Sequence, residues 1–306
     1  MKLIFLLIVA LGFSSCATYK AKQTGDLLKS PGNLPRQTQL SIPFVKQSDY
    51  YCGPASLSMI MKNLNYAGEM NELAKQMYTP KQKGSLKSDL ASTTRRQGLM
   101  GIQLSNLDSI LKELANKNPV LVFQNMGLSW YPAWHYAVAT GYDLDNRTIT
   151  LHTGKYQYKE VNLGEFERSW DLGGKWSMVI LPPGKISVSA DELSHVIAAA
   201  GLEQTGKIKE AELSYISIIE QWEYSFGALI GLGNITYARN DYTASIKYLT
   251  QATKHHPESA IAWHNLATAQ GAAKLDFQAK ESTKKALDLV SESQKSTFKE
   301  SLKSWL

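Results

Sequence analysis

The amino-acid sequence predicts an α+β domain over residues 39–186, followed by an all-α repeat domain over residues 190–306. Three observations support this fold class. Short apolar runs bounded by turn residues alternate with helical patterns in the first region. From about residue 190 the strand pattern ends and helical periodicity takes over. Small and apolar residues recur there with a period of 34, which is typical of stacked helical repeats.

The length and composition are those of a folded protein with two domains. The 306 residues exceed what one typical hydrophobic core organises, and 43% hydrophobic with 20% charged residues excludes an intrinsically disordered chain. The formal net charge of +6 comes from basic residues that are scattered along the sequence. Because no nucleic-acid recognition motif accompanies this charge, we expect no nucleic acid as a partner.

Residues 1–15 have the pattern of an export signal. A positive start at Lys2 precedes an apolar run from Leu3 to Phe13, which is too short to span a bilayer of roughly 30 Å as a helix. Small residues then lead to Cys16, and this pattern resembles the lipobox of bacterial lipoproteins. The resemblance implies cleavage before Cys16 and acylation of its thiol and new amino terminus. Since Phe13 departs from the usual aliphatic residue, a plain secretory signal is the alternative.

The surroundings of Cys16 also predict where the protein resides. Ala17 follows it instead of the Asp that retains lipoproteins in the inner membrane. By the same resemblance, this implies a lipid-anchored protein of the bacterial cell envelope, in the outer membrane and facing the periplasm. Residues 16–38 mix Lys, Thr, Gly and Pro without sustained periodicity, which predicts a tether.

The two cysteines of the sequence are Cys16 and Cys52. If lipid consumes the first, no structural disulfide can form within the chain, although an exported protein could use one. Cys52 is then a free thiol in an oxidising compartment. An unpaired thiol is a liability there, so its presence suggests a functional role.

Cys52 lies at the predicted start of a helix. Apolar residues recur at helical spacing after it, and Gly53-Pro54 suits a first helical turn. Backbone N–H groups and the positive end of the helix dipole would stabilise a thiolate at this position, which predicts a nucleophile near neutral pH. Gln47, five residues upstream, is a candidate side-chain donor to an oxyanion, with the Cys52 backbone N–H as the second donor. The alternative is a buried small residue at a helix start.

A cysteine nucleophile needs a base, and residues 39–186 contain two histidines, His135 and His152. His135 begins a predicted buried strand that ends at Gly141, and His152 lies in the next strand. A strand can bring His135 against the helix of Cys52 from a distant part of the chain. A lone strand histidine is more often structural, but together with the cysteine motif we favour His135 as the base.

Two short motifs in this order resemble a known family. They are Gln47 with Cys52-Gly53-Pro54-Ala55-Ser56, and His135-Tyr136-Ala137-Val138 with Gly141-Tyr142-Asp143. The region resembles the bacteriocin-processing double-glycine leader peptidases, and most closely lipoprotein members that carry tetratricopeptide repeats. The resemblance covers about residues 39–184. It implies a papain-like α+β fold with Cys52 as nucleophile, His135 as general base and acid, and Gln47 in the oxyanion hole.

The sequence departs from this family at the group that orients the histidine. The family usually has an Asp-Pro pair after the second strand, where this chain has Thr153-Gly154. A Thr153 hydroxyl or a backbone carbonyl could orient the imidazole, without the charge that stabilises an imidazolium. His152 is a rival for that role, and Asp143 or Asp145 would need an unusual path. Loss of the charged partner leaves three alternatives, a slower enzyme, a Cys-His dyad or a pseudoenzyme.

Three aromatic residues stand just before His135, namely Trp130, Tyr131 and Trp134. We expect them in the core, and the alternative is that they line a substrate cleft. A last strand, Trp176 to Leu181, closes the domain before Pro182-Pro183.

The C-terminal region predicts about three tetratricopeptide repeats. Three series share the interval of 34, and they are Ala198, Leu232 and Leu266; Ala199, Gly233 and Ala267; and Ile218, Ala252 and Ala286. Each helix pair would bury its small-residue face by stacking on its neighbour, giving a short solenoid that binds a protein partner. A generic helical bundle is the alternative. His255-His256 lack further ligands at metal-binding spacing, so we expect no metal and no cofactor.

Two functions of different classes follow. The first is a membrane-anchored cysteine peptidase that hydrolyses peptide bonds through a thioester, with the repeats recruiting a peptide or protein substrate or a partner. The second is a catalytically weak or inactive lipoprotein of the same fold that binds peptides as an adaptor. The Asp-to-Thr departure at Thr153 is the feature that favours the second.

Overall fold

The computed structural model describes residues 19–47 and 50–305. The predicted signal peptide and the predicted lipid attachment at Cys16 lie outside these residues, as do Ser48 and Asp49. The described chain confirms the predicted class, an α+β domain followed by all-α helical repeats. Among the residues described, no helix combines the length and apolarity that crossing a membrane requires.

The first region is built on a seven-stranded sheet. Its strands are β1 (Gln37–Gln39), β2 (Met100–Leu104), β3 (Val120–Asn125), β4 (Trp134–Asp143), β5 (Thr148–Thr153), β6 (Tyr156–Asn162) and β7 (Ser177–Leu181). Six strands follow the order β2-β7-β3-β4-β5-β6, β1 pairs with β4, and every pairing is antiparallel. All six residues of β3 are buried, which indicates that both faces of the sheet are covered.

Helices provide this cover. They are α1 (Lys22–Lys29), α2 (Cys52–Asn63), α3 (Met70–Met77), α4 (Lys87–Arg96), α5 (Leu107–Ala115) and α6 (Leu163–Leu172). Helix α2 packs on β3 and β4, and its residues from Gly53 to Met61 are all buried. The packing of α2 on β4 matters most for the site, because Cys52 begins α2 and His135 is the second residue of β4.

Part of the predicted tether over residues 16–38 is a helix that packs on the domain, where the sequence predicted a segment without regular structure. Helix α1 packs on α5 and α6, and its backbone N–H groups at Gln23 and Thr24 donate to the carboxylate of Glu167 at 3.0 and 2.7 Å. Leu27 is buried in the core. Polar composition suggested a free segment, whereas a few well-placed contacts are enough to hold this helix on the domain.

The second region contains three helix pairs and a final helix. The pairs are α7 (Glu192–Gln204) with α8 (Ile208–Gln221), α9 (Phe226–Ala238) with α10 (Tyr242–His255), and α11 (Ala260–Ala272) with α12 (Asp276–Leu289), and α13 (Glu292–Ser301) follows. Equivalent helices begin 34 residues apart in all three pairs, so the predicted period is present in the structure. The small residues of the three series are buried where neighbouring helices meet.

The two regions share one continuous hydrophobic core. Helix α7 packs on β2 and α4, and its Ala198 and Leu202 are buried in the same cluster as the sheet. The segment between the regions is held by Glu113, a fully buried carboxylate that accepts hydrogen bonds from Ser187 and Ser189. The first repeat is therefore packed firmly against the α+β region, because separating them would expose apolar surface and break the buried hydrogen bonds of Glu113.

Candidate active site

A cavity of about 600 Å³ lies at the start of helix α2. Three residues predicted as a catalytic group, Gln47, Cys52 and His135, line this one cavity. Gln47 and Cys52 are five residues apart, on a loop and at a helix start, whereas His135 comes from a strand more than 80 residues further along the sequence. Folding thus brings them together around a space large enough for a peptide segment.

Cys52 is the first residue of α2, and the close packing around it explains the glycine that follows. A Cβ at position 53 would lie 2.9 Å from Oγ of Ser85 and 3.2 Å from Leu90. Glycine therefore allows the loop carrying Ser85 to approach the start of the helix. The first N–H groups of a helix have no intrahelical acceptor, so the backbone N–H of Cys52 is available to a bound group.

The protonation of Cys52 differs from the expectation of a thiolate favoured by the helix. Burial raises the pKa of the Cys52 thiol above its ordinary value, and backbone N–H groups of Tyr136, Gly53 and Cys52 itself lower it only in part. The cause is that the thiol is removed from water, which disfavours the charged form. At neutral pH the resting side chain is a thiol.

His135 is held by the residue that the sequence suggested as a neutral partner. Its Nε2 lies 2.7 Å from Oγ1 of Thr153, the last residue of β5. If Nε2 carries the proton and donates it to Thr153, Nδ1 is the nitrogen that can take a proton from a thiol. Burial, and then the charge of Lys159, lowers the pKa of His135 below its ordinary value. The resting pair is consequently a neutral thiol and a neutral imidazole.

Gln47 is fixed to the turn after β5. Its Oε1 accepts a hydrogen bond from the backbone N–H of Gly154 at 2.8 Å, and its backbone N–H donates to the carbonyl of Gly154 at 3.0 Å. Its Nε2 makes two long contacts, 3.3 Å to Oγ of Ser56 and 3.4 Å to the carbonyl of Tyr136. Bonds of this length are weak, so an N–H of this amide can turn to a better acceptor in the cavity.

The rival candidates for orienting His135 have other environments. His152 is fully buried between the rings of Phe44 and Tyr158, and neither ring nitrogen has a partner among the described residues. Burial lowers the pKa of His152 to about 4, so it is neutral at physiological pH. Asp143 accepts hydrogen bonds from Asn146, and Asp145 forms an ion pair with Arg36. None of the three lines the cavity.

The aromatic residues before His135 are not in the core, which corrects the favoured expectation. Trp130 is 80% exposed and Tyr131 is 72% exposed. Trp134 is 54% exposed, lines the cavity and stacks on Phe123 with ring centroids 5.3 Å apart. The alternative expectation of a cleft residue holds for Trp134 alone, since Trp130 and Tyr131 do not line the cavity.

One wall of the cavity was not foreseen from the sequence. Residues 82–88, which comprise the end of the α3–α4 connection and the first two residues of α4, line it together with Phe123 and Tyr136. Oγ of Ser85 is buried without a partner among the described residues, and Lys87 donates to the carbonyl of Gly173 at 2.8 Å. Burial lowers the pKa of Lys87. The signal for a loop was present, since Pro80 and Gly84 interrupt the helical pattern, but nothing local placed it beside Cys52.

Alkylation tests the protonation of the site. The rate of reaction of Cys52 with iodoacetamide is expected to rise roughly tenfold per pH unit between about pH 6 and 8, because the thiolate is the nucleophile and the pKa of the thiol lies above this range. Mass spectrometry of the labelled peptide measures the rate, and Cys52→Ser is the blank. A rate that stays constant over this range would indicate a thiolate–imidazolium pair instead.

Comparison with known protein families gives a match for the α+β region of the chain. Residues 34–178 match a family model described as the Peptidase_C39 like family. No curated protein matches the chain.

Within the described part of the chain, no group of three or more His, Cys, Asp or Glu side chains is arranged to hold a metal ion.

Several solved structures are similar to parts of the chain. A Bacillus anthracis protein described as a C39-like peptidase is 15% identical, with a TM-score of 0.42, and the match covers 50% of this chain and 100% of that one. The peptidase domain of Streptococcus ComA, a bi-functional ABC transporter, is 20% identical with a TM-score of 0.38, covering 45% of this chain and 96% of that one. MamA from Desulfovibrio magneticus is 17% identical with a TM-score of 0.34, covering 38% of this chain and 64% of that one.

Proposed function

We propose that the protein is a lipid-anchored cysteine peptidase that hydrolyses peptide bonds through a thioester at Cys52, since residues 34–178 match the model of the Peptidase_C39 like family. The observation that carries this proposal is the shared cavity of Cys52, His135 and Gln47. Thr153 supports it by holding Nε2 of His135, which leaves Nδ1 for the proton of the thiol.

The first half of the reaction forms the acyl-enzyme. The Cys52 sulfur attacks the peptide carbonyl carbon while its proton passes to His135, since both groups are neutral at rest. The carbonyl oxygen becomes an oxyanion, and Nε2 of Gln47 and the backbone N–H of Cys52 donate to it. The C–N bond then breaks, the leaving amine takes the proton from His135, and a thioester remains on Cys52.

The second half returns the enzyme to its starting state. His135 removes a proton from water, and the resulting nucleophile attacks the thioester carbonyl. The same two N–H groups stabilise the second oxyanion. The C–S bond breaks, the sulfur recovers its proton from His135, and the new carboxylic acid leaves. Thr153 carries no charge, so it orients the imidazole but stabilises the transient imidazolium less than a carboxylate would.

The repeats and the leader add two further parts to the proposal. The repeat region, packed on the α+β region through a shared core, would present a surface for a protein substrate or partner. Acyl chains on Cys16 would hold the protein in the outer membrane, facing the periplasm, since each buried CH₂ contributes about 0.8 kcal/mol. The proposal does not include cleavage after a double-glycine leader or at any other particular peptide sequence.

A peptide-like electrophile tests the activity. An acyloxymethyl ketone on a short peptide is expected to label Cys52 at least about ten times faster than it labels free cysteine at pH 7, because binding places the reactive carbon beside Cys52 and His135. Mass spectrometry identifies the labelled residue, and His135→Ala is the matched control with the thiol intact.

The same experiment distinguishes the peptidase from a peptide-binding adaptor. The uncharged Thr153 and the raised pKa of Cys52 favour the adaptor. An adaptor would bind the peptide without accelerated labelling. Labelling no faster than that of free cysteine, together with a Cys52→Ala strain that keeps the cellular function, would replace the peptidase by the adaptor.

A further inference from the structure

The connection between β3 and β4 forms an ordered hairpin that projects apolar side chains. Leu128 and Tyr131 exchange backbone hydrogen bonds of 3.0 and 3.2 Å, and Oδ1 of Asn125 accepts from the N–H groups of Gly127 and Ala133, both at 2.9 Å. A Cβ at position 127 would lie 2.4 Å from the carbonyl oxygen of Tyr131, so glycine is required there. The hairpin is therefore preorganised by its own hydrogen bonds.

Five large apolar residues of this hairpin are exposed, and we call them the apolar tip. They are Met126 at 56%, Leu128 at 48%, Trp130 at 80%, Tyr131 at 72% and Trp134 at 54%. Scattered single apolar residues on a surface are normal, but a contiguous group marks an interaction site. Trp and Tyr are favoured where one end of a ring meets an apolar phase and the other meets water, as at a membrane interface.

The start of the described chain lies close to this hairpin. Helix α6 separates them, since Glu167 on one face binds the N–H groups of Gln23 and Thr24. Another face of α6, formed by Glu165, Arg168, Ser169 and Leu172, lines a pocket together with Asn125 and Gly127 at the base of the hairpin and with Met126 and Leu128 of the apolar tip. A helix with side chains is about 10–12 Å across, so the two attachments to α6 are within roughly that distance.

The predicted acyl chains are only a few residues away from the start of the described chain. Cys16 precedes Tyr19, the first described residue, by three residues, which span at most about 11 Å when fully extended. No long tether separates the domain from the anchor, because α1 is packed on the domain. We propose that the apolar tip docks into the interfacial region of the lipid bilayer to which Cys16 is anchored, holding the cavity of Cys52 open at the membrane surface.

The charges around the tip suit an anionic lipid surface. Arg168 lies at the base of the hairpin, and Lys83 and Lys87 line the cavity that Trp134 also lines. None of these three forms an ion pair with a described residue. Glu165 is the acidic residue of the pocket at the base, so the balance is positive. Membrane-proximal peptides are then the substrates that reach Cys52 most readily.

This inference rests on the lipid attachment proposed above, and fluorescence quenching tests it separately. The acylated full chain is reconstituted in phosphatidylethanolamine and phosphatidylglycerol vesicles with and without dibrominated acyl chains. Trp130 and Trp134 are the exposed tryptophans of the described chain, so Trp130→Phe is expected to remove about half of the quenching by bromine. Trp263→Phe, in the repeat region, is the matched control and should leave the quenching unchanged.

Each alternative has its own result. Quenching that is equal in wild type and Trp130→Phe overturns the docking, and flotation of the same protein with vesicles would still support the anchor. Trp130-dependent quenching in a Cys16→Ser chain supports the docking even if the anchor fails. If Trp130→Ala instead raises KM for a soluble peptide and leaves the quenching intact, the tip binds substrate and the membrane proposal is wrong.

Discussion

Cys52→Ala is expected to lower peptide hydrolysis by about 10³-fold or more, because it removes the sulfur that forms the covalent intermediate. His135→Ala should cause a loss of the same order, since the neutral thiol needs a base at the moment of attack. The double variant should lose little more than either single variant, because residues that act as one unit have non-additive effects. Steady-state kinetics on a fluorogenic peptide measures all three.

The controls separate chemistry from folding. Cys52→Ala removes one sulfur atom at a helix start, so its circular dichroism and urea unfolding midpoint should match those of wild type. His152→Phe, which changes the buried histidine that does not line the cavity, should keep most of the activity. Full hydrolysis by Cys52→Ala would refute the covalent mechanism, and additive losses in the double variant would assign Cys52 and His135 to separate steps.

The second large effect is expected at Gln47. Gln47→Glu keeps an oxygen that can accept the N–H of Gly154, but it loses the amide donor and places a negative charge where an oxyanion develops. We expect kcat to fall by about 10²–10³-fold with little change in KM, because the lost interaction is stronger in the transition state than in the bound substrate.

Gln47→Ala serves as the matched comparison. It removes both the donor and the acceptor, so it weakens the turn at Gly154 as well as the oxyanion hole. If Gln47 only held the turn, Gln47→Glu would be nearly as active as wild type and Gln47→Ala would be much less active. If both variants lose kcat to a similar degree, the donor is what matters.

Local signals explain why part of the site could be predicted. The helix start at Cys52 follows from apolar spacing and from Gly53-Pro54, and both are properties of a few neighbouring residues. The strand that carries His135 follows in the same way from a run of buried residues. The 34-residue period of the repeats is also local, because each repeat contacts mainly its neighbours.

The choice between His152 and Thr153 shows where local signals end. The two residues are adjacent in β5, and adjacent residues of a strand point to opposite faces. Which face meets His135 depends on the register with β4, where Val138 pairs with His152. Only the assembled sheet sets that register, so the sequence left both residues open as partners of His135.

The sequence by itself determined the nucleophile candidate at the start of a helix, the strand that carries its histidine, and the repeats, because spacing and turn chemistry act over a few residues. The tertiary structure decided the rest. Burial in the assembled cavity raises the pKa of Cys52, against the effect of the helix end. Contacts between distant segments hold α1 on the domain, leave Trp130 and Tyr131 exposed, and place Thr153 against His135. Solvent exclusion and long-range register depend on the whole fold, and no short stretch of sequence specifies them.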